Sequence, residues 1–433
     1  MNTSATNAAS VTLASRPGSR RAAGRRLLSI NNYFYRRGGA EIIFLEQNRL
    51  FDEIGWEVIP FCMHHRENLP TPWDRFFAEE IEFGRTYNPF EKIVRAAKVT
   101  YSLEARRKLR KLVLEARPQL AHAHNVYHHL SPAILSTLKH AEIPTVLSLH
   151  DLKIACPAYN MLRDGRPCES CRGGHVYNVL RYRCIKDSSV LSAVVLTEAV
   201  LHRLLRTYER NVDRFVVPSR FYIEKLVDWG WSRDRFVHIP NFVDVERLRP
   251  QGNVGHGFLY MGRLSAEKGL RTLLRAAAAC RQPITLAGAG PQEHSLRQLA
   301  ATLGADVRFL GHQTGPALHA AVAAARAVVL PSEWYENAPV SVLEAYALGR
   351  PVIGAAIGGI PELVREGETG ATFPAGDAEA LCETLVRFAA MPPNAVAAMS
   401  RAGRQWVERD FSAAMYRERL LALYENLLAE LTQ

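Results

Sequence analysis

The strongest constraint on the fold is a rhythm that the chain runs through twice. Short apolar runs at Leu27–Asn31, Trp56–Phe61, Leu120–His124 and Thr145–Leu149 alternate with longer stretches carrying apolar residues on one helical face. Strands alternating with helices of that length make βαβ units and so a parallel sheet. A helical stretch at Thr197–Arg210, a strand end at Phe215–Ser219 and a last strand at Phe236–Val243 complete the first run. Asp244–His256, with Pro250, Gly252, Gly255 and few apolar residues, reads as an interdomain linker. The rhythm restarts at Gly257–Met261 and continues through Ile284–Ala287, Val307–Leu310, Ala327–Leu330 and Pro351–Gly354. Two α/β domains, each on its own parallel sheet, are therefore expected.

The chain of 433 residues is long enough for two or three domains with sizeable cores. Its 48% hydrophobic and 22% charged content is that of a globular protein, and no apolar run reaches the length of a membrane span. The net charge of +11 suits phosphate-bearing small molecules, an anionic membrane surface or nucleic acid without choosing between them. The basic residues are spread, and no nucleic-acid recognition module is visible. Seven cysteines, with Cys62, Cys280 and Cys382 scattered in apolar contexts, point to a reducing compartment. Residues 1–26 hold five arginines, no acid and no apolar core, and are expected to form a disordered basic tail.

Ligands of α/β proteins bind at the carboxyl edge of the sheet, so the loops after the strands hold the candidate chemistry. After the first strand, Gly38-Gly39 opens a helix and lets an anion approach its N-terminus. Two neighbouring strands run into His122, His124 and Asn125, and into His150-Asp151. In the second half, Gly262 to Gly269 brings Arg263 and Lys268 to a strand end, where two cations suit a diphosphate. Gly288-Ala-Gly290 lacks the third glycine of a dinucleotide fingerprint, and Lys268-Gly269 reverses the P-loop order, which excludes a typical dehydrogenase or NTPase. No Asp-x-Asp pair stands at a strand end to hold a divalent metal.

In the stretch from Pro331 to Ile353, two carboxylates stand out, Glu336 just before a helix and Glu344 inside it. The helix is expected over Pro339–Gly349 with Asn337 as N-cap. Glu344 is its only charged residue, and either solvent or ligand hydroxyls would satisfy it. Cys156, Cys168, Cys171 and Cys184 have the ligand count of a structural zinc site, with a metal-free thiol loop as the alternative. The helix Glu104–Arg117, crowded with Arg106, Arg107, Lys108, Arg110 and Lys111, is either a solvated outer face or a surface for anionic lipid.

Taken in order, these motifs resemble the retaining glycosyltransferases of family four, of the GT-B fold. The likeness rests on Gly38-Gly39, His150-Asp151, Pro218-Ser219, Asn241-Phe-Val-Asp244, Gly262-Arg263 with Lys268-Gly269, Gly288-Ala-Gly290, the Glu336/Glu344 pair, Gly349-x-Pro351-Val-Ile353 and Gly358-Gly-Ile-Pro-Glu362. It implies two facing Rossmann-like domains with a cleft between them: an acceptor-binding domain over 27–247, with the cysteine insertion at 156–184, and a nucleotide-sugar domain over 254–411. Residues 412–433 would form a helix crossing back to the first domain. It further implies that Arg263 and Lys268 bind the donor diphosphate, without need of a metal or other cofactor. Glu344 would hold the ribose, Glu336 would contact the transferred sugar, and His150 would lie at the reaction centre. Gly39 and Gly290 would line the donor site together with Val340 and with Asn337, Ala338 and Pro339, which stand where the family commonly has Gly-Phe-Gly. Implied partners are a nucleotide sugar and a glycan or lipid-linked acceptor, with no nucleic acid, in the cytoplasm and peripheral on the inner face of its membrane. Polysaccharide biosynthesis is the implied context, and a non-catalytic nucleotide-sugar-binding protein is the alternative.

Overall fold

The computed structural model of the protein describes residues 24–80, 88–251 and 254–430. Nearly all of the expected basic tail lies outside these residues. The first sheet contains β1 (Arg26–Ile30), β2 (Glu57–Phe61), β3 (Leu120–Ala123) and β4 (Thr145–Ser148). A small antiparallel hairpin, β5 (Leu162–Arg163) and β6 (Arg166–Pro167), follows in the cysteine insertion. Strands β7 (Arg214–Val217) and β8 (Phe236–His238) then return to the sheet, whose order is β2-β1-β3-β4-β7-β8, all parallel.

Alternation along these strands builds the two faces. Leu28 and Ile30 of β1 join Leu109, Leu112 and Leu135 in one core, while Leu27 faces Leu50, Phe51 and Leu420 in another. Each strand is covered on both faces, as parallel sheets require.

The second sheet is β9 (Phe258–Met261), β10 (Ile284–Ala287), β11 (Val307–Gly311), β12 (Ala327–Leu330), β13 (Val352–Ala355) and β14 (Gly370–Phe373). Its order, β11-β10-β9-β12-β13-β14, reverses direction between β9 and β12. The first sheet reverses between β1 and β3. Crevices open at such switch points, at the carboxyl ends of the strands.

The chain leaves the first domain at Phe242–Val243 and re-enters it at Ser412, and the two crossings are joined by the Val243 N–H to the Phe411 carbonyl at 3.0 Å. Helix Ala413–Glu430 then packs Tyr416, Leu420, Tyr424 and Leu427 against Leu27, Leu50, Phe51 and Trp56 of the first domain. Tyr416 stacks on Phe242 with ring centroids 4.2 Å apart. The expected crossover helix is thus present, and its interface is aromatic and buried.

Several expected elements differ. The strand expected over Phe236–Val243 stops at His238, because Pro240 cannot donate to the ladder. The helix expected at Thr197–Arg210 begins at Ser189, capped by the Ser188 hydroxyl, and breaks where Arg206 takes a φ of 50° before a short helix at Thr207–Asn211. The basic helix spans Leu103–Ala116.

Candidate functional site

The loops after β9 and β12 flank the switch point of the second sheet and meet there. Glu333 N–H donates to the Glu267 carbonyl at 2.9 Å, and Thr272 Oγ1 donates to Glu333 Oε1 at 2.5 Å. Gly269 sits at φ +66° where a Cβ would lie 1.8 Å from the Pro331 carbonyl oxygen, so only glycine lets the loops close. The contact delivers Lys268 Nζ to Glu336 Oε1 at 2.6 Å, and Ser332 Oγ donates to the same carboxylate oxygen at 2.6 Å. Burial alone would raise the Glu336 carboxyl; the Lys268 ammonium and the Ser332 hydroxyl hold it below the ordinary carboxylate range. Lys268 also lies over the Trp334 ring, 5.0 Å from its centroid. Arg263 is exposed and makes no ion pair among the described residues.

Helix Val340–Ala347 starts one residue later than expected, with Pro339 at its N-cap. Asn337 is not the cap. Its side chain bridges the domains instead: Nδ2 donates to the Leu149 carbonyl at 2.9 Å, and Oδ1 accepts from Ser219 Oγ at 2.8 Å. Asn241 Nδ2 donates to the Ala338 carbonyl at 2.8 Å, and the Glu362 carboxylate accepts the Arg220 and Phe221 N–H groups at 2.8 and 2.5 Å. The 335–339 loop is therefore seated against the first domain, next to the end of β4 and His150.

Glu344 is half-buried on its apolar helix and has no hydrogen-bond partner among the described residues. Burial pushes its carboxyl up to about 7. Gly288 and Gly290 meet the protein itself, since added Cβ atoms would lie 1.8 Å from the Gly262 carbonyl oxygen and 2.3 Å from that of Leu264. Gly290 thus holds the Arg263 loop in place. Gly39 begins helix Gly39–Glu53 and is exposed, with nothing within 4 Å of where a Cβ would stand.

His150, two residues beyond β4, stands in a line of imidazoles: its Nε2 lies 2.8 Å from His124 Nδ1, and His124 stacks on His122 with centroids 4.7 Å apart. Burial lowers His150 to about 4, so the ring is neutral at pH 7.

Family models match both halves of the chain: one described as Glycosyltransferase Family 4 over residues 37–247, and one described as Glycosyl transferases group 1 over residues 255–390. The chain belongs to glycosyltransferase family 4. A D-inositol 3-phosphate glycosyltransferase of Saccharomonospora viridis is 31% identical over 51% of this chain and 57% of its own length. The putative colanic acid biosynthesis glycosyltransferase WcaL of Escherichia coli K12 is 28% identical over 50% of this chain and 58% of its own. The chain thus spans somewhat over half the length of these curated relatives. Among solved structures, the sucrose-phosphate synthase of Thermosynechococcus elongatus superposes with a TM-score of 0.68 at 20% identity, covering 94% of this chain and all (100%) of that one. Anabaena HepE in complex with UDP and glucose gives 0.64 at 16% identity over 93% and 99%. These likenesses show the GT-B fold.

In this family 4 chain, the site residues expected from sequence fall into two groups, with one residue apart from both. Lys268, Glu336, Asn337, Ala338 and Pro339 lie along one continuous loop contact, with His150 beside it. Arg263, Gly290, Val340 and Glu344 stand around it on the second domain, whereas Gly39 belongs to the switch point of the first sheet. Ser332, Ser219 and Glu362 escaped sequence reading. Ser219 and Glu362 stood inside quoted motifs, but their links, to Asn337 and to Arg220 and Phe221, span the two domains and leave no local spacing to read.

The cysteine insertion forms a wall beside this family 4 site. All seven cysteines are free thiols. Burial raises Cys171, and Cys156, Cys184 and Cys168 are close enough to raise it further. Among the described residues no group of three or more His, Cys, Asp or Glu stands in metal-binding geometry. Between Cys168 and Cys171, Glu169 accepts from Tyr335 Oη at 2.9 Å and pairs with Lys225 at 2.7 Å, which anchors the residue next to Glu336.

Proposed function

We propose that this protein transfers a sugar from a nucleotide-sugar donor to a glycan or lipid-linked glycan acceptor, with retention of anomeric configuration, in polysaccharide biosynthesis. The observation that carries this reading is the seating of the Glu336–Asn337 loop on the Leu149 carbonyl, which brings the Lys268–Glu336 pair and the residue after Leu149, His150, to the same contact between the domains. Arg263 and Lys268 bind the donor diphosphate and stabilise the charge that grows on it as the sugar–oxygen bond breaks, so no divalent metal is required. Glu344, a half-buried carboxylate without a partner, accepts from the ribose hydroxyls. Glu336 contacts the transferred sugar, and His150 stands at the reaction centre. The first domain takes the acceptor near Gly39. WcaL, whose name refers to colanic acid, supports the polysaccharide context, and the UDP in HepE supports a nucleotide diphosphate.

A peripheral membrane site accompanies this reading. Leu103 and Leu114 of the basic helix are each 69% exposed, beside the exposed Arg107, Arg110 and Lys111. Val190 and Leu204, at either end of helix Ser189–Leu204, are 70% and 77% exposed. Apolar residues with cations about them suit an anionic bilayer. No described helix is long and apolar enough to cross a membrane. The cysteine cluster, closed on one zinc ion, would stiffen the wall that holds Tyr335.

The test is a donor screen. Purified protein is offered a panel of nucleotide sugars, with nucleotide release and ligand-induced thermal stabilisation as readouts. Stabilisation together with release in the presence of acceptor is the expected result; stabilisation without release from any donor would identify a non-catalytic binding protein.

A further inference from the structure

The line of imidazoles at the end of β3 and β4 carries proton-position information that can be read from its far end. Tyr416 of the crossover helix donates its hydroxyl to Gln47 Oε1 at 2.9 Å, which orients the amide so that Nε2 faces His122 Nδ1 at 3.1 Å. An amide nitrogen only donates, so His122 Nδ1 accepts, and the Tyr424 hydroxyl adjoins the same nitrogen. The proton of His122 is therefore on Nε2, where it donates to Ser148 Oγ at 2.8 Å. Ser148, the last residue of β4, is two residues before His150, and His122 of the neighbouring β3 is two before His124.

His124 is fully buried, and its Nε2 has no hydrogen-bond partner among the described residues. A buried N–H without an acceptor is rarer and costlier than a bare lone pair in the same place. The proton of neutral His124 therefore sits on Nδ1, which faces His150 Nε2 at 2.8 Å. The ring planes of His124 and His150 are 15° apart with centroids separated by 5.1 Å.

We infer that His124 is a positioning residue: its Nδ1–H donates to His150 Nε2 and fixes His150 as the tautomer protonated at Nδ1. His150 then offers an N–H, rather than a lone pair, on its remaining edge, where no described residue accepts from it. His150 neighbours Leu149, whose carbonyl receives Asn337 of the other domain, so the residue stands beside the contact between the domains. An N–H there recognises an oxygen acceptor of the bound substrate, such as a sugar hydroxyl, and does not act as a general base. The inference rests on the transferase reading for its consequence in turnover, but the tautomer itself does not depend on it.

The test uses full-length protein labelled with 15N at histidine. Two-bond proton–nitrogen spectra distinguish a protonated from a bare ring nitrogen, and His150→Gln assigns the His150 signals. Wild type should show His150 protonated at Nδ1. His124→Phe keeps a ring in the stack but removes the donor; it should give His150 in mixed tautomers and lower kcat by roughly tenfold or more, with donor KM within about twofold. His124→Asn, whose amide nitrogen can stand where Nδ1 stood, should restore the Nδ1 tautomer and most of kcat. A wild-type His150 protonated at Nε2 would overturn the inference, as would a His124→Phe enzyme with mixed tautomers and unchanged kcat. If His124→Phe fails to fold, the spectra of wild type and His124→Asn still decide the tautomer. Should no donor support transfer by the wild type, the spectrum alone would keep or reject the positioning role, and only the transferase reading would fall.

Discussion

Lys268 Nζ and Glu336 Oε1 lie 2.6 Å apart, and Glu336 is only 5% exposed, so the cation expected at the donor diphosphate and the acid expected at the adjoining sugar hold each other first. Binding of a diphosphate would draw on a lysine already oriented by its partner, which reduces the reorganisation needed as leaving-group charge develops.

Removing one member of this pair should therefore have two effects. Lys268→Ala should lower turnover by roughly a hundredfold, about 3 kcal/mol. It should also destabilise the protein by about 3–5 kcal/mol, because Glu336 is left charged and buried. Adding Glu336→Gln to Lys268→Ala should return much of the stability without returning turnover. Denaturant melts and steady-state kinetics on the single and double variants separate the two effects. Equal stability of Lys268→Ala and wild type would show that the pair is not formed in solution.

Glu344 yields a prediction with a definite sign. Burial raises its folded pKa from 4.5 to about 7, so the folded protein keeps a proton that the unfolded chain has lost. Stability without ligand should fall as pH rises from about 4.5 to about 7, by up to about 3 kcal/mol and less where water reaches the carboxylate. Glu344→Gln should accordingly be more stable than wild type at pH 8 and equal to it near pH 4.5, while binding donor more weakly. Urea melts across that range check the first part, and titration with nucleotide the second. A variant less stable than wild type at pH 8 would mean that Glu344 is already satisfied.

How much of this was legible in the sequence depends on how far apart the partners are. The strands at Ile284–Ala287 and Ala327–Leu330 were read to the residue, because a buried parallel strand is an uninterrupted apolar run with loop residues at both ends. Lys268 and Glu336 were recognisable as candidates, but their pairing across 68 residues was not. Asn337 was misread as a helix cap because local spacing favours that role, and nothing local announces a bond to the Leu149 carbonyl 188 residues away. Gly290 was expected to line the donor site, but its close approach to Leu264, where a Cβ would lie 2.3 Å from the carbonyl oxygen, was not legible. His122 and His124 were noticed as polar strand ends, while the tie to Tyr424 depended on where the final helix docks.

The cysteine insertion should contain metal if its thiols close together. Protein purified without chelator is expected to carry about one zinc per chain, and Cys168→Ser with Cys171→Ser should abolish it. Loss of the metal should also loosen the Glu169–Tyr335 contact and so reduce nucleotide binding. Native thiols that all react freely, with no zinc by elemental analysis, would leave a metal-free loop.

Membrane attachment should depend on the exposed cations alone. Arg106 and Lys108 are already engaged, with Tyr101 Oη at 2.8 Å and Glu79 Oε1 at 2.9 Å, so the test changes Arg107, Arg110 and Lys111 to Gln. Sedimentation with anionic vesicles should weaken by roughly 1 kcal/mol per cation removed, with nucleotide binding unchanged. Equal sedimentation of variant and wild type would return this helix to the solvated faces.

The stereochemistry of the product tests the account most directly. Given an α-linked nucleotide sugar and an acceptor, the protein should form an α-linked product, identified by the anomeric proton coupling in its NMR spectrum, because the motifs joined at Lys268, Glu336 and His150 resemble those of retaining enzymes. A β-linked product would contradict the proposed mechanism while leaving the GT-B fold in place.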